Sequence, residues 1–76
     1  CRVCALLRDT KDGSKASLRC EDGYDVAAVA ARFGGGGHKR ASGCLIKDKA
    51  FDMAKKELVS AAENEWKRVF PNGYSE

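Results

Sequence analysis

The sequence predicts a small α/β domain, α+β in arrangement, with a mixed sheet in the order β-β-α-β-α and the helices packed on that sheet. Three observations lead there. An apolar run bounded by charges, Arg2-Val-Cys-Ala-Leu-Leu-Arg8, is separated by Asp12-Gly13 from the alternating segment Lys15-Ala-Ser-Leu-Arg-Cys20. Two later stretches, opening near Asp25 and Lys49, repeat apolar residues at helical spacing. Between them lies a third strand segment, Ala41-Ser-Gly-Cys-Leu-Ile46.

The first two segments read as a hairpin. Asp12-Gly13 supplies the turn, with the glycine taking the positive φ such turns need. The first strand is apolar on both faces. In the second, Ala16, Leu18 and Cys20 share one face, and Ser17 and Arg19 share the other. Arg19 therefore projects from a sheet.

The first helix has both ends marked. Asp25 is its N-cap, and Tyr24 before it is placed to pack on Val29 as a hydrophobic staple. Val26, Val29, Ala30 and Phe33 form one apolar stripe, and Gly34 stands where a helix-ending left-handed residue belongs. The glycine run is thus a helix exit leading to the third strand, where Gly43 permits close backbone approach. The last helix is expected from about Lys49 to about Phe70, capped by Asp48 and stopped by Pro71-Asn-Gly73. Phe51, Ala54, Leu58, Ala61 and Ala62 form its inward stripe, while Glu65, Lys67 and Arg68 read as solvated. Trp66, Val69 and Phe70 either extend the core or mark a surface made for another domain.

Seventy-six residues make a single domain spanning 1–76, near the size where one core is just sufficient. With 43% apolar and 33% charged residues, the chain is globular and not disordered. No apolar run approaches the ~20 residues of a membrane span. The net charge of +3 leans toward an anionic partner without deciding one. Cys1 stands where an initiator methionine would, as expected of a fragment whose missing portion lies on the N-terminal side.

Four cysteines raise two possibilities, zinc and disulfides. Cys1-x-x-Cys4 has zinc spacing, but Cys20 and Cys44 stand alone, and strand alternation points positions 1 and 4 to opposite faces. A disulfide framework would imply export, of which there is no sign. Small buried hydrophobes in a reducing cytoplasm are the expectation.

Residues Gly34 to Gly43, reading Gly-Gly-Gly-Gly-His-Lys-Arg-Ala-Ser-Gly, hold the chemistry. Ordering four glycines costs about 2–4 kcal/mol relative to alanine. The total stability expected at this length is only roughly 4–11 kcal/mol. A bare backbone so placed must lie close to something, and His38, Lys39 and Arg40 gather donors at its exit. An anion fits. Two familiar phosphate loops do not, because both need glycines that open a helix. These glycines leave one, and a helix C-terminus has the wrong sign for an anion. Backbone N–H groups turned outward, His38 and cations must then do the holding.

The string Phe33 to Gly43 resembles the hallmark of the DHH-associated domain, the C-terminal substrate-binding lobe of the DHH phosphoesterase superfamily. Ser17-Leu-Arg-Cys20 is similar to a Ser-Leu-Arg-Ser strand of those proteins, and Asp25-Val26 to the opening of their helix. Ser42 stands where alanine is common, and Cys20 where serine is common. Among branches, the chain looks most like bacterial oligoribonucleases that also dephosphorylate 3'-phosphoadenosine 5'-phosphate.

The resemblance implies a division of labour. An N-terminal DHH lobe, in cis and absent here, would carry two divalent metals, usually manganese, that activate water. This chain would supply no catalytic residue and no metal ligand. It would bind short RNA or nucleotide phosphate through Arg19, Gly35, Gly36, Gly37 and His38, with Lys39 and Arg40 as further contacts. The parent would be a cytoplasmic phosphoesterase, and the fragment alone catalytically incomplete. The resemblance leaves two alternatives: a non-catalytic nucleic-acid-binding module like the related C-terminal domain of alanyl-tRNA synthetases, and the lobe of a cyclic-dinucleotide phosphodiesterase, which has the same loop.

Overall fold

In the computed structural model, residues 2–73 are described. The chain runs β1 (Val3–Thr10), β2 (Gly13–Cys20), α1 (Val26–Ala31), β3 (Gly36–His38), β4 (Ala41–Ile46) and α2 (Phe51–Val69). The four strands form one sheet in the order β1-β2-β4-β3, and every ladder is antiparallel.

The α/β class holds, with one strand more than the sequence suggests and no parallel pairing. The extra strand, β3, comes from the glycine run itself. It turns back through Lys39 and Arg40 to pair with β4, so a hairpin stands where an irregular bridge was expected. The first hairpin is as expected: Thr10 pairs with Gly13, whose φ is +139°, and the Thr10 hydroxyl donates to the Gly13 carbonyl at 2.6 Å.

Register determines which side chains meet. Ala16 lies between Leu7 and Cys44, and Leu18 between Ala5 and Ser42. These positions face the helices, and Ala16, Leu18, Cys44 and Ile46 join Val26, Val29, Ala54 and Leu58 in the core. The opposite face carries Cys4, Leu6, Lys15, Ser17, Arg19 and Ala41, all exposed. Leu6 is 68% exposed there. The helices thus cover one side of the sheet and leave the other open.

α1 is capped as read: the Ala28 N–H donates to Asp25 Oδ1 at 3.2 Å. Its exit is a Schellman arrangement, with Gly34 N–H donating to Ala31 O, Gly35 N–H to Ala30 O, and Gly34 at φ +79°. Phe33 falls beyond the helix and packs on the core half-buried. Tyr24 is buried, and its hydroxyl donates to the Ala62 carbonyl at 2.7 Å, tying the entry of α1 to α2. Its ring lies 6.1 Å from that of Trp66, which packs in turn against Phe70 at 4.6 Å, the two rings tilted by 51°.

The start of α2 differs from expectation. Asp48 adopts a left-handed φ of +61° in the turn leaving β4, so it cannot sit in the extended cap position. Ala50 takes the cap instead, with no side-chain bond, and the helix begins at Phe51. Glu65 also differs: it is 7% exposed, not solvated. Arg68 donates to both its carboxylate oxygens, at 2.8 and 2.7 Å, which satisfies the charge that burial would otherwise strand.

The cysteines part company. Cys44 is buried and its thiol is pushed up in pKa by desolvation. Cys20 is half-buried, its Sγ 3.2 Å from the carbonyls of both Tyr24 and Lys39. Cys4 is exposed on the open face, while Cys1 lies outside the described residues.

Candidate functional site

Three strands set side chains in rows across the open face. Arg19 on β2 pairs with Ala41 on β4, and Ala41 pairs with His38 on β3. The two polar side chains therefore stand on either flank of a methyl group, two strands or about 10 Å apart at the backbone. The next row is Ser17, Gly43 and Gly36. A small-residue floor thus lies beside the Arg19–His38 row, and all of it faces away from the helices.

The glycines of the run have separate reasons to be glycine. Gly34 needs its positive φ for the helix exit. A Cβ on Gly35 would lie 2.2 Å from the Gly43 carbonyl, and one on Gly37 would lie 2.7 Å from Ser42 Cα. Both are packed too tightly for any side chain. Gly36 is different. Its φ is ordinary and a Cβ there would meet nothing within 4 Å, so the chain itself does not require glycine at that position.

Backbone hydrogen bonds divide the run further. The Gly35 N–H is taken by Ala30 O, so it is not offered to a ligand. β3 is an edge strand, and a three-residue edge leaves backbone groups facing away from its single partner. Gly36, Gly37 and His38 are all exposed.

His38 is oriented by its neighbour. Its Nδ1 accepts the Arg40 N–H at 3.1 Å. With Nδ1 so engaged, the neutral ring has its proton on Nε2 and presents a donor. Lys39 and Arg40 form the turn and hold it down through their carbonyls: Lys39 O accepts from Val26 N–H at 2.9 Å, and Arg40 O from Cys20 N–H at 3.0 Å. The Arg40 guanidinium lies 3.3 Å from Asp22. Neither residue stands in the Arg19–His38 row. Arg19 has no ion-pair partner among the described residues.

The structure therefore brings Arg19, Gly36 and His38 to one face, gives Gly35 and Gly37 internal roles, and sets Lys39 and Arg40 at the turn. Sequence reasoning missed Arg8 and Lys15, which share the open face at its other end. Strand alternation from Arg19 was the signal for Lys15, and hairpin register then places Arg8 opposite it. The donor set for a metal is lacking: no three of His, Cys, Asp and Glu gather among the described residues, so these side chains do not fit a divalent-metal centre.

The family model for the DHHA1 domain matches residues 2–67. The chain belongs to the DHHA1 domain family. This DHHA1 domain is 33% identical over 67 residues, 88% of its length, to the "Bifunctional oligoribonuclease and PAP phosphatase NrnA" of Thermus thermophilus, of which it covers 21%. It is 51% identical over 43 residues, 54% of its length, to "Oligoribonuclease NrnB" of Bacillus subtilis, covering 11% of that protein. A mimivirus protein, "Uncharacterized protein R106" of Acanthamoeba polyphaga mimivirus, is 46% identical over 59 residues, 66% of this chain and 14% of that protein. The chain thus spans at most 21% of the length of these curated relatives. The resemblance read from Phe33 to Gly43 is borne out, and it places the chain with the associated domain of DHH-superfamily phosphoesterases. Among the described residues no helix is long and apolar enough to cross a membrane.

Proposed function

We propose that this DHHA1 domain is the lobe that holds the phosphate of a short RNA or nucleotide for a DHH-family phosphodiesterase. The observation that carries the reading is Gly36. Neither its φ nor its surroundings within the chain call for glycine, yet it lies on the open face beside Arg19 and His38. A ligand drawn close to the backbone accounts for the missing side chain. The Arg19 guanidinium would grip two phosphate oxygens in its planar fork, and His38 Nε2–H would donate to the same group.

Hydrolysis would be done elsewhere. The N-terminal DHH lobe expected in cis would supply the divalent metals, manganese in the usual case, and the whole would work in the cytoplasm. This chain's part is binding and orientation, so alone it hydrolyses nothing. The names of the Thermus and Bacillus relatives favour oligoribonucleotides as substrate over cyclic dinucleotides. A stacking module for tRNA fits less well: the described aromatics Tyr24, Phe33, Phe51, Trp66 and Phe70 all lie off the strands, leaving the open face without a base platform.

The test is Gly36→Val. A β-branched residue suits a strand and would meet open space, so the melting temperature should hold. Titration of the isotope-labelled chain with a 5'-phosphorylated diadenylate should show binding to the wild type and its loss in the variant. Equal affinities for both would sink the reading.

A further inference from the structure

The open face has a second cationic position that the phosphate reading leaves unused. Arg8 on β1 pairs directly with Lys15 on β2. Like charges set opposite each other across a ladder are destabilising. Neither side chain has an ion-pair partner among the described residues. They line a shallow hollow of about 580 Å³ together with Ser17, Gly43, Leu45 and Asp12. Asp12, on the turn, is its one carboxylate, and the lining stays net positive.

Ser17 and Gly43 also form the small-residue floor beside Arg19 and His38. The hollow is therefore continuous with the first site. From Arg19 to Lys15 is four residues along one strand, about 14 Å. That is more than one internucleotide step.

We infer that Arg8 and Lys15 form a second phosphate subsite, which takes a more distant backbone phosphate of the single-stranded oligonucleotide whose first phosphate sits between Arg19 and His38. The ligand is a polyanion read by its backbone: beside the aliphatic Leu6 and Leu45 the face holds cations and small residues, and among the described residues no aromatic side chain for a base. The subsite rests on the phosphate-binding reading above and adds a length preference to it. A dinucleotide would fill only the Arg19 end, and a pentanucleotide would reach both.

The experiment compares a 5'-phosphorylated diadenylate with a pentaadenylate, titrated into the wild type, Arg19→Ala and the double variant Arg8→Gln, Lys15→Gln. Glutamine keeps chain length and removes charge, and separating the opposed cations should leave the melting temperature equal or higher. The double variant should bind pentaadenylate about tenfold more weakly and diadenylate as the wild type does. Its log Kd should also depend less steeply on log salt for pentaadenylate, by about 0.7 for each phosphate that is no longer neutralised. Arg19→Ala should weaken both ligands. If Arg19→Ala weakens both while the double variant binds pentaadenylate normally, the subsite is wrong and the first reading stands. If neither variant changes either affinity, the phosphate-binding reading itself fails, and the subsite with it. Should the double variant lose its fold, Lys15→Gln alone carries the same comparison, with a proportionally smaller effect.

Discussion

Arg19 and His38 flank Ala41 in one row of the sheet, the first on β2 and the second on the edge strand β3. Neither touches the core, and the residue between them is no larger than a methyl group. The relationship depends on β3 being a strand. As a free loop the glycine run would leave His38 with no set distance from Arg19.

Replacing Arg19 tests that pairing at one end. Its side chain stands on the open face, so Arg19→Ala should leave the melting temperature nearly unchanged. A charge-assisted contact is worth about 1.5–3 kcal/mol, so the affinity for a 5'-phosphorylated diadenylate should fall roughly ten- to a hundredfold. Arg19→Lys should recover only part, because an ammonium lacks the guanidinium fork. Calorimetric titration with parallel thermal melts checks both halves. A full recovery by lysine would mean that Arg19 acts as a point charge only.

Tyr24 predicts an alkaline limit to stability. Burial above all, then the nearby Glu65 and then Cys20, push its hydroxyl from the ordinary 10.0 up to about 12. The folded state thus favours the neutral phenol. That contribution is whole below pH 10 and is lost as pH rises through about 12. Chemical denaturation at a series of pH values should show stability falling across that window. Tyr24→Phe should remove most of the fall, and should cost about 0.5–1.5 kcal/mol at neutral pH for the missing bond to the Ala62 carbonyl.

Much of this architecture was legible in the residues. Asp12-Gly13 fixed a hairpin, alternation through Ala16, Leu18 and Cys20 sent Arg19 outward, and Asp25 marked its helix by a side-chain oxygen that can cap. β3 was not legible, because glycine has no strand propensity and no polarity to alternate. Its pairing depends on how closely Gly35 and Gly37 fit against Gly43 and Ser42. Asp48 misled because a capping residue type also suits a left-handed turn, and the turn prevailed. Glu65 could have been found: it continues the stripe Ala54, Leu58, Ala61 at helical spacing, and only its charge argued for solvent. At the site, Arg19 and His38 were readable singly, whereas the row joining them required the register.

The tight packing of β3 gives a stability contrast within four identical residues. Gly35→Ala would place a methyl 2.2 Å from the Gly43 carbonyl and 2.8 Å from Cys44 Cα, so backbone must move. Overpacking of this kind costs about 1–3 kcal/mol or more. For a domain this small, each kcal/mol is worth roughly 4–8 °C in melting temperature. Gly37→Ala should do likewise, with its φ of +147° adding strain. Gly36→Ala should melt within a few degrees of the wild type. Thermal melts of the three variants decide it, and equal losses from all three would mean that β3 is not held as a strand.

His38 has two candidate jobs, and one substitution separates them. Its Nδ1 accepts the Arg40 N–H, which shapes the turn, while Nε2 is left as a donor on a strand whose open face also carries Arg19. An asparagine in this position can still accept the same N–H through its side-chain oxygen, as such residues do in turns. It is too short to carry a donor out to where Nε2 stands. His38→Asn should therefore keep the turn, with the melting temperature and the amide resonances of Lys39 and Arg40 close to wild type. His38→Ala should lower the melting temperature slightly, because that acceptor is exposed and water replaces it. If His38 holds phosphate, both variants should bind a 5'-phosphorylated diadenylate about tenfold more weakly or worse, to a similar degree. If it serves only the turn, asparagine should restore binding along with the fold. Affinity measured beside melting temperature distinguishes the two, since only a direct bond to the ligand leaves the asparagine variant folded as before and still weak.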